Sequence, residues 1–193
     1  KVTWNIEGAE MGLRYGENPG QEAAFYKLIN GNLVLGETET LLPGNHLVSD
    51  MELLQSGKHP GKTNLTDADN ALNILRYLMD EPAVIIVKHN NPCGIAMDPV
   101  LSYAFDKANM ADRIAAFGGC IAANLPIDIT TAEAIAAQSA EVLVAPAYEA
   151  GVLACFAKKK NLRVLRIAHM ANLAKFAGAN WLDFNSLIAG GSL

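Results

Sequence analysis

The hydrophobic positions of this chain fall into short continuous runs that alternate with longer segments of helical spacing. Runs of four or five mostly apolar residues, bounded by turn-forming or charged residues, are typical of strands buried on both faces of a sheet. These runs cover residues 84–87, 120–123, 142–145 and 163–167. Residues 1–6 predict a further short strand, and the segments on either side of Asn30 and Gly31 predict a β-hairpin.

Between the buried runs, apolar residues recur three and four positions apart, which predicts amphipathic helices. The predicted helices cover residues 66–79, 99–110, 131–140 and 148–159, and capping residues precede the first three. Because strands and helices alternate over residues 66–167, the sequence predicts an α/β protein with a largely parallel sheet. The chain shows no repeat and no linker, so we expect residues 1–193 to form a single domain.

Composition narrows the class of protein. Of 193 residues, 51% are hydrophobic and 18% charged, which excludes a disordered chain. The net charge of −5 gives no overall attraction to nucleic acid or to an anionic membrane, so we expect neither partner. No apolar run approaches the ~20 residues that span a bilayer. The three cysteines, odd in number and widely spaced, indicate a reducing cytoplasm.

The polar end of the first buried run is the leading candidate for a functional site. Lys88 and His89 directly follow residues 84–87, and residues 91–94 (Asn-Pro-Cys-Gly) predict a turn. Ligands of open α/β sheets bind outside the carboxyl ends of the strands. A strand end that is merely solvated explains the same pair of residues, and position alone leaves both interpretations open.

The residue types at this strand end suit acid–base chemistry on a polar substrate. Phosphate-binding, dinucleotide-binding and nucleophile-elbow motifs do not occur in the sequence. A zinc deaminase site is disfavoured because Asn91 stands where such a site needs Glu, and no second Cys follows Cys93 at the required spacing. His89 can accept a proton near neutral pH, and Lys88 can stabilise an oxyanion that develops nearby.

A second polar stretch, residues 12–21, is dense in turn formers and is most simply a surface connection. Within it, Arg14 and Tyr15 make a suitable pair for an oxyanion and a flat ring. Both interpretations stay open on residue type alone.

Several motifs together resemble the AICAR transformylase family, in which AICAR transformylase is joined to IMP cyclohydrolase. They occur in the family's order and extend over nearly the whole chain. They are residues 13–19 (Leu-Arg-Tyr-Gly-Glu-Asn-Pro) with Gln21, 88–94 (Lys-His-Asn-Asn-Pro-Cys-Gly), 116–119 (Ala-Phe-Gly-Gly), 141–146 (Glu-Val-Leu-Val-Ala-Pro) and 186–191 (Ser-Leu-Ile-Ala-Gly-Gly).

The resemblance implies an enzyme that transfers the formyl group of 10-formyltetrahydrofolate, its co-substrate, to the 5-amino group of AICAR in purine (IMP) biosynthesis. It implies that His89 is the proton acceptor and that Lys88 assists the transition state. By position, the substrate-binding residues are then Arg14, Tyr15, Asn64, Gly118 and Glu141. The implied fold is cytidine-deaminase-like, a three-layer α/β/α arrangement, and it uses no catalytic metal.

The chain departs from the family pattern in ways that keep other functions open. Gly20 stands where the family commonly has His, and residues 113–115 differ from the common bacterial pattern. The family's transformylase contains two copies of this fold, of which this sequence resembles the first. We therefore expect either a fragment or a stand-alone protein that forms a homodimer or higher homo-oligomer. A non-catalytic AICAR-binding or regulatory module, or a different transfer reaction on the same half-site, are the alternatives.

Overall fold

The buried runs form the centre of a mixed, six-stranded sheet in a single α/β domain. The structure is a computed structural model that describes residues 1–26, 34–35, 38–39, 51–55 and 57–178. Two small antiparallel pairs come first in the chain: β1 (Trp4–Ile6) with β2 (Ala9–Met11), and β3 (Val34–Leu35) with β4 (Thr38–Glu39). The main sheet then contains β5 (Glu52–Gln55), β6 (Ala83–Lys88), β7 (Asn91–Met97), β8 (Gly119–Ala123), β9 (Ala140–Ala145) and β10 (Arg163–Arg166).

The strand order is β5-β10-β9-β8-β6-β7, and the expectation of a largely parallel sheet is wrong. Only the pairs β8–β9 and β9–β10 are parallel, whereas β5–β10, β6–β8 and β6–β7 are antiparallel. For the two antiparallel pairs of β6, the cause lies at the predicted turn after Lys88. The chain reverses within His89 and Asn90 and returns as β7, so Pro92 to Gly94 lie in a strand instead of a loop. Pro92 is tolerated there because β7 is an edge strand with a register shift beside it.

Alternation along the strands gives the sheet two buried faces. On β6, Ile85 and Val87 pack in one hydrophobic cluster, while Val84 and Ile86 pack in the other. The first cluster contains helix α1 (Lys62–Leu75) and a 3₁₀ helix (Met170–Phe176). The second contains residues of α2 (Leu101–Ala111), α3 (Arg113–Ala116), α4 (Ile129–Ala136) and α5 (Val152–Cys155). Helices therefore cover both faces of the sheet, as three α/β/α layers require.

Three helices begin at residues other than the expected ones, and hydrogen bonds of nearby side chains accompany each shift. Helix α1 starts four residues early, at Lys62, since the Asn64 side chain accepts a hydrogen bond from Gly61 N–H at 3.0 Å from within the first turn. Helix α2 starts at Leu101, after the Asp98 carboxylate has accepted the N–H of Val100. The N-cap of α4 is Asp128, whose carboxylate accepts from Thr131 N–H at 2.7 Å, so the expected capping box at residues 130–133 does not form.

The fourth predicted helix, residues 148–159, is mostly wrong. Tyr148 lies in an extended segment that bridges to Ile127, and its hydroxyl donates to the carbonyl of Leu165 at 2.8 Å. Gly151 then takes φ +88°, a left-handed conformation, before the short α5 begins. The expected hairpin turn at Asn30 and Gly31 lies outside the described residues. No helix in the described part of the chain is long and apolar enough to cross a membrane.

Candidate active site

Lys88 and His89 lie on a tight hairpin turn at the carboxyl end of β6. Lys88 pairs with Asn91, so His89 and Asn90 alone make the turn. Both have left-handed backbone, with φ of 51° for His89 and 62° for Asn90. Two positive φ angles are typical of the two-residue hairpin turns whose twist matches that of the strands. His89 is thus held at an exposed tip, in a conformation that costs a residue with a side chain some free energy.

The Lys88 side chain reaches the chain segment just before β8. Its ammonium donates a hydrogen bond to the carbonyl of Phe117, which directly follows α3. Gly118, with φ +75°, comes next, and a Cβ placed on it would lie 4.0 Å from Lys88 Nζ. Gly118 N–H in turn donates to the Ser139 carbonyl at 2.8 Å. The predicted catalytic residue Lys88 and the predicted substrate-binding residue Gly118 are therefore neighbours.

A buried carboxylate, Asp67 on α1, holds the turn from the opposite side. The residue is 6% exposed, and its Oδ1 accepts the N–H of Asn90 at 2.7 Å. Burial raises the pKa of Asp67 above its usual value, while the backbone N–H groups of Asn90 and His89 and the charge of His89 act in the opposite direction. Asp67 thus links α1 directly to the turn that carries His89.

A second polar cluster lies one turn earlier on the same helix. Asn64 Nδ2 donates to Glu141 Oε2 at 3.3 Å, and Arg163 Nη1 lies 3.5 Å from the same oxygen. Arg163 is only 3% exposed and also donates to the carbonyls of Lys58 and Asn161. Burial lowers the pKa of Arg163, whereas the Glu141 carboxylate acts to raise it. Glu141 lies at a register shift between β8 and β9, where it has no opposite partner.

Arg14 and Tyr15 pack against the start of α1. Tyr15 C=O accepts from Lys62 N–H at 3.1 Å, and Arg14 N–H donates to the Pro60 carbonyl at 2.9 Å. The Arg14 guanidinium carbon lies 5.1 Å from the centre of the Tyr15 ring. Arg14 is exposed, yet its charge is close enough to Arg163 to lower the pKa of that residue further. This polar stretch is therefore anchored beside the Asn64–Glu141–Arg163 cluster.

The predicted site residues thus lie along one edge of the main sheet, and this edge is formed by the ends of several strands and not by an outer strand. That edge combines the carboxyl end of β6 with the amino ends of β8, β9 and β10, because β6 runs against its neighbour β8. Helix α1 joins the two groups, since Asn64 contacts Glu141 and Asp67 contacts the His89 turn. The catalytic and binding roles of these residues remain predictions.

Sequence reasoning missed two residues of this edge. Asp67 falls inside the predicted helix 66–79, three positions after Asn64 and hence on the same face of α1, and this spacing is the signal that could identify it. Arg163 begins the predicted strand 163–167, and an Arg at the first position of a buried run is a visible signal. Both are buried charges with specific partners, a combination that often marks functional positions.

Neither a metal nor a cysteine nucleophile finds support at this edge. Within the described ranges, no group of three His, Cys, Asp or Glu residues is arranged to hold a metal ion. Burial raises the pKa of the Cys93 thiol, and the Asp112 charge raises it further, which favours the unreactive thiol form. Lys88 and His89 therefore remain the candidate reactive groups.

Comparison with known proteins identifies relatives over most of the chain. A family model described as the AICARFT/IMPCHase bienzyme matches residues 2–193. A bifunctional purine biosynthesis protein PurH of Myxococcus xanthus is 40% identical over 153 residues, covering 79% of this chain and 27% of that protein. The protein of the same name in Xanthomonas campestris pv. campestris is 42% identical over 167 residues, covering 86% of this chain and 29% of that protein. The chain thus spans less than a third of the length of these relatives.

Proposed function

The chain belongs to the AICARFT/IMPCHase bienzyme family, and from this premise we propose that it transfers a formyl group to AICAR in purine biosynthesis. The formyl donor is 10-formyltetrahydrofolate, and the acceptor is the 5-amino group. The observation that carries the proposal is the His89 turn, where an imidazole follows the Lys88 ammonium at one sheet edge, with Gly118 beside Lys88. The cytidine-deaminase-like fold is part of the proposal, and the mixed sheet with helices on both faces supports it.

In the proposed reaction, the amine nitrogen of AICAR bonds to the formyl carbon while His89 takes up the proton that the amine loses. The bond between that carbon and N10 of the folate then breaks, and N10 takes a proton to give tetrahydrofolate. The amine is conjugated with its ring and is a poor nucleophile, so a positioned base should contribute about 10² to 10⁴ in rate. An ammonium has three donors, and Lys88 donates one to the Phe117 carbonyl, which leaves others for the formyl oxygen.

The remaining predicted residues hold the nucleotide in this proposal. Arg14 binds an anionic group through its guanidinium and Tyr15 packs on a flat ring, which are the contacts these side chains favour. Asn64 and Glu141 already share a hydrogen bond at 3.3 Å, and this fixes two polar side chains toward the same space. Holding both substrates in line would supply much of the remaining acceleration.

A second copy of the fold completes the site in our proposal; for a stand-alone protein, a second chain provides this copy in a homodimer or larger homo-oligomer. Exposure of both Arg14 and His89 supports this, because each has a free side toward a partner. We place the reaction in the cytoplasm, in keeping with the three unpaired cysteines. Light scattering of the purified chain tests the oligomer, and a monomer at high concentration would argue against it.

A spectrophotometric transformylase assay on the purified chain tests the function. We expect tetrahydrofolate to form only when AICAR and 10-formyltetrahydrofolate are both present. Omitting either substrate gives the matched blank. Tight AICAR binding by calorimetry without any formyl transfer would overturn the proposal in favour of a non-catalytic nucleotide-binding module.

A further inference from the structure

We propose that a lysine-lined cavity between the chain segments that enter β9 and β10 binds a small molecule carrying two linked phosphate groups. The cavity has a volume of about 330 Å³ and is lined by residues 139–140 and 158–162. This volume lies at the lower end of the range for small-molecule sites. The inference does not rest on the proposed function, because none of the residues assigned to formyl transfer or to AICAR lines the cavity.

The three lysines of the cavity, residues 158–160, are not explained as the solvated end of a helix. Cations are favourable in the last turn of a helix, where they meet the negative end of its dipole. Helix α5 covers only Val152–Cys155, so the lysine run begins three residues beyond it, in turns that lead into β10. The run therefore calls for another partner for its positive charges.

Hydrogen bonds fix the two segments that form the cavity. Lys159 Nζ donates to the carbonyl of Gln138 at 2.7 Å and so ties one segment to the other. On the second segment, the carbonyl of Lys160 accepts the N–H of Gly57 at 2.9 Å. The packing there is close, since a Cβ on Gly57 would lie 2.3 Å from that carbonyl oxygen. A cavity built in advance of its ligand lowers the entropic cost of binding.

The charge of the lining is entirely positive. It contains the three lysines and no acidic residue. The carboxylate of Glu141, which follows the first segment, already contacts Asn64 Nδ2 at 3.3 Å and Arg163 Nη1 at 3.5 Å. Among the residues that the structure describes, no ion pair involves any of the three lysines. An anionic ligand would therefore supply the compensating charge.

The donors of the lining match linked phosphate groups. A lysine ammonium has three N–H donors and binds phosphate as a point charge. Lys159 uses one donor on the neighbouring segment, whereas Lys158 and Lys160 are exposed and make no side-chain hydrogen bond within the described ranges. Three adjacent cations favour a compact group of high negative charge over a single carboxylate. The net charge of −5 disfavours a long nucleic acid as the occupant.

The cavity adjoins the candidate active site at one point. Ser139 lines the cavity, and its carbonyl accepts the N–H of Gly118 at 2.8 Å. Arg14 and Lys88, the cations of the candidate active site, do not line the cavity. A test must therefore separate binding in the cavity from binding of the same probe at those two residues.

The first test measures binding of inorganic pyrophosphate by calorimetry at about 0.15 M salt. The cavity variant is Lys158→Gln with Lys160→Gln, and Lys159 is kept because its hydrogen bond ties the two segments together. The control, Lys107→Gln with Lys175→Gln, removes the same charge at exposed positions outside the lining. We expect saturable binding to wild-type protein, a Kd at least about tenfold higher in the cavity variant, and a change below about twofold in the control.

The absence of saturable binding to wild-type protein, or equal losses in the two double variants, would overturn the proposal. Circular dichroism checks that both variants are folded. Arg14→Gln should leave the Kd for pyrophosphate within about twofold, because Arg14 lies outside the cavity. A tenfold loss in Arg14→Gln would assign pyrophosphate binding to the candidate active site and contradict the proposal. None of these measurements requires formyl transfer, so a failure of the proposed function would be seen separately.

The second test compares probes on wild-type protein. Inorganic phosphate should bind at least about tenfold more weakly than pyrophosphate, because it reaches fewer of the three ammonium groups. Equal affinities for phosphate and pyrophosphate would overturn the assignment to linked phosphates. ADP identifies the source: tighter binding than pyrophosphate supports a nucleoside diphosphate, and equal binding supports pyrophosphate alone. A single-stranded oligonucleotide that binds more tightly than either would contradict a small-molecule site.

Discussion

His89 and Asn90 are single residues whose backbone carries the strain of the candidate site. Each non-glycine residue in a left-handed conformation costs about 1–2 kcal/mol relative to ordinary backbone. Glycine at either position would form the same turn at lower cost, and Asn90 is of a residue type that adopts this conformation comparatively often. The Asp67 carboxylate and the β6–β7 ladder offset this strain.

The buried charge of Asp67 predicts a specific dependence of stability on pH. Its pKa is raised above 3.8 in the folded protein, so between 3.8 and that raised value the folded state binds more protons than the unfolded state. The contribution of Asp67 to stability therefore falls as pH rises through this window. Urea unfolding should show the difference in unfolding free energy shifting in favour of Asp67→Asn as pH increases from about 3 to 7. A difference independent of pH would contradict this.

Gly118 should be required for activity beyond its effect on stability. With φ +75°, alanine there costs about 1 kcal/mol of backbone strain, and its Cβ would lie 4.0 Å from Lys88 Nζ. That Cβ contact is an ordinary one, so we expect Gly118→Ala to reduce formyl transfer at least about tenfold through the strained backbone, which adjoins the Phe117 carbonyl that accepts from Lys88. Gly8→Ala is the matched control, because Gly8 has φ +86° and open space around it. Equal losses of activity in the two variants would refute a special role for Gly118.

For single residues, the sequence identifies candidate site residues that directly follow a hydrophobic run. It misses candidate site residues whose hydrogen-bond or ion-pair partners lie far away in the chain. Lys88 and His89 were found because they follow a continuous apolar run. Asp67 was not, since its partner Asn90 lies 23 positions away and a helix position does not reveal what faces it. Arg163 and Glu141, which meet only when β9 and β10 pair, were missed as a pair for the same reason.

Among the elements, the β6–β7 hairpin and helix α1 do most to shape the site. The hairpin presents the His89 turn, and α1 supports it through Asp67 while binding Glu141 through Asn64. Residues 88–94 together resemble one family motif, but its two ends have different roles in the structure. Lys88 and His89 form the candidate reactive pair, whereas Gly94 has a packing role against α2.

Gly94 should be intolerant of any side chain. A Cβ at this position would lie 1.8 Å from the carbonyl oxygen of Ala108, so α2 would have to move away from β7. We expect Gly94→Ala to lower the free energy of unfolding by about 3 kcal/mol, at the upper end of overpacking effects. Gly20→Ala, where nothing lies within 4 Å, should change it by less than about 0.5 kcal/mol. Urea denaturation of both variants measures this, and similar stabilities would contradict the packing role.

The sequence predicts a strand or helix correctly where its burial in the core is enough to determine its structure. The four apolar runs all became strands of the main sheet, because a continuous run must be covered on both faces. Strand direction was not predictable, since the reversal depends on His89 and Asn90 adopting left-handed backbone without glycine. The first residues of α1 and α4 differ from the predicted ones, because Asn64 and Asp128 make capping hydrogen bonds that the spacing of hydrophobic residues does not indicate.

At the scale of the whole molecule, the protein is acidic, whereas the candidate site contains positively charged side chains. The net charge is −5, yet Arg14 and Arg163 lie near each other at this end of the sheet, with the Glu141 carboxylate 3.5 Å from Arg163 Nη1. In the function we propose, such a local pair of cations on an acidic protein suits a small anionic nucleotide better than a polyanion. The open side of the candidate site, with Arg14 and His89 exposed, is where a second copy of the fold completes the site in the function we propose.

The most direct measurement of the central claim is single-turnover formyl transfer by wild-type protein, His89→Ala and His169→Ala, together with AICAR affinity. His169 is exposed at the start of the 3₁₀ helix, away from the site residues, and serves as the control. We predict that His89→Ala loses at least about 10²-fold in rate while its AICAR affinity stays within about tenfold, or ~1.4 kcal/mol, and that His169→Ala behaves as wild type. Unchanged transfer in His89→Ala, or no transfer by the wild-type chain, would contradict the account.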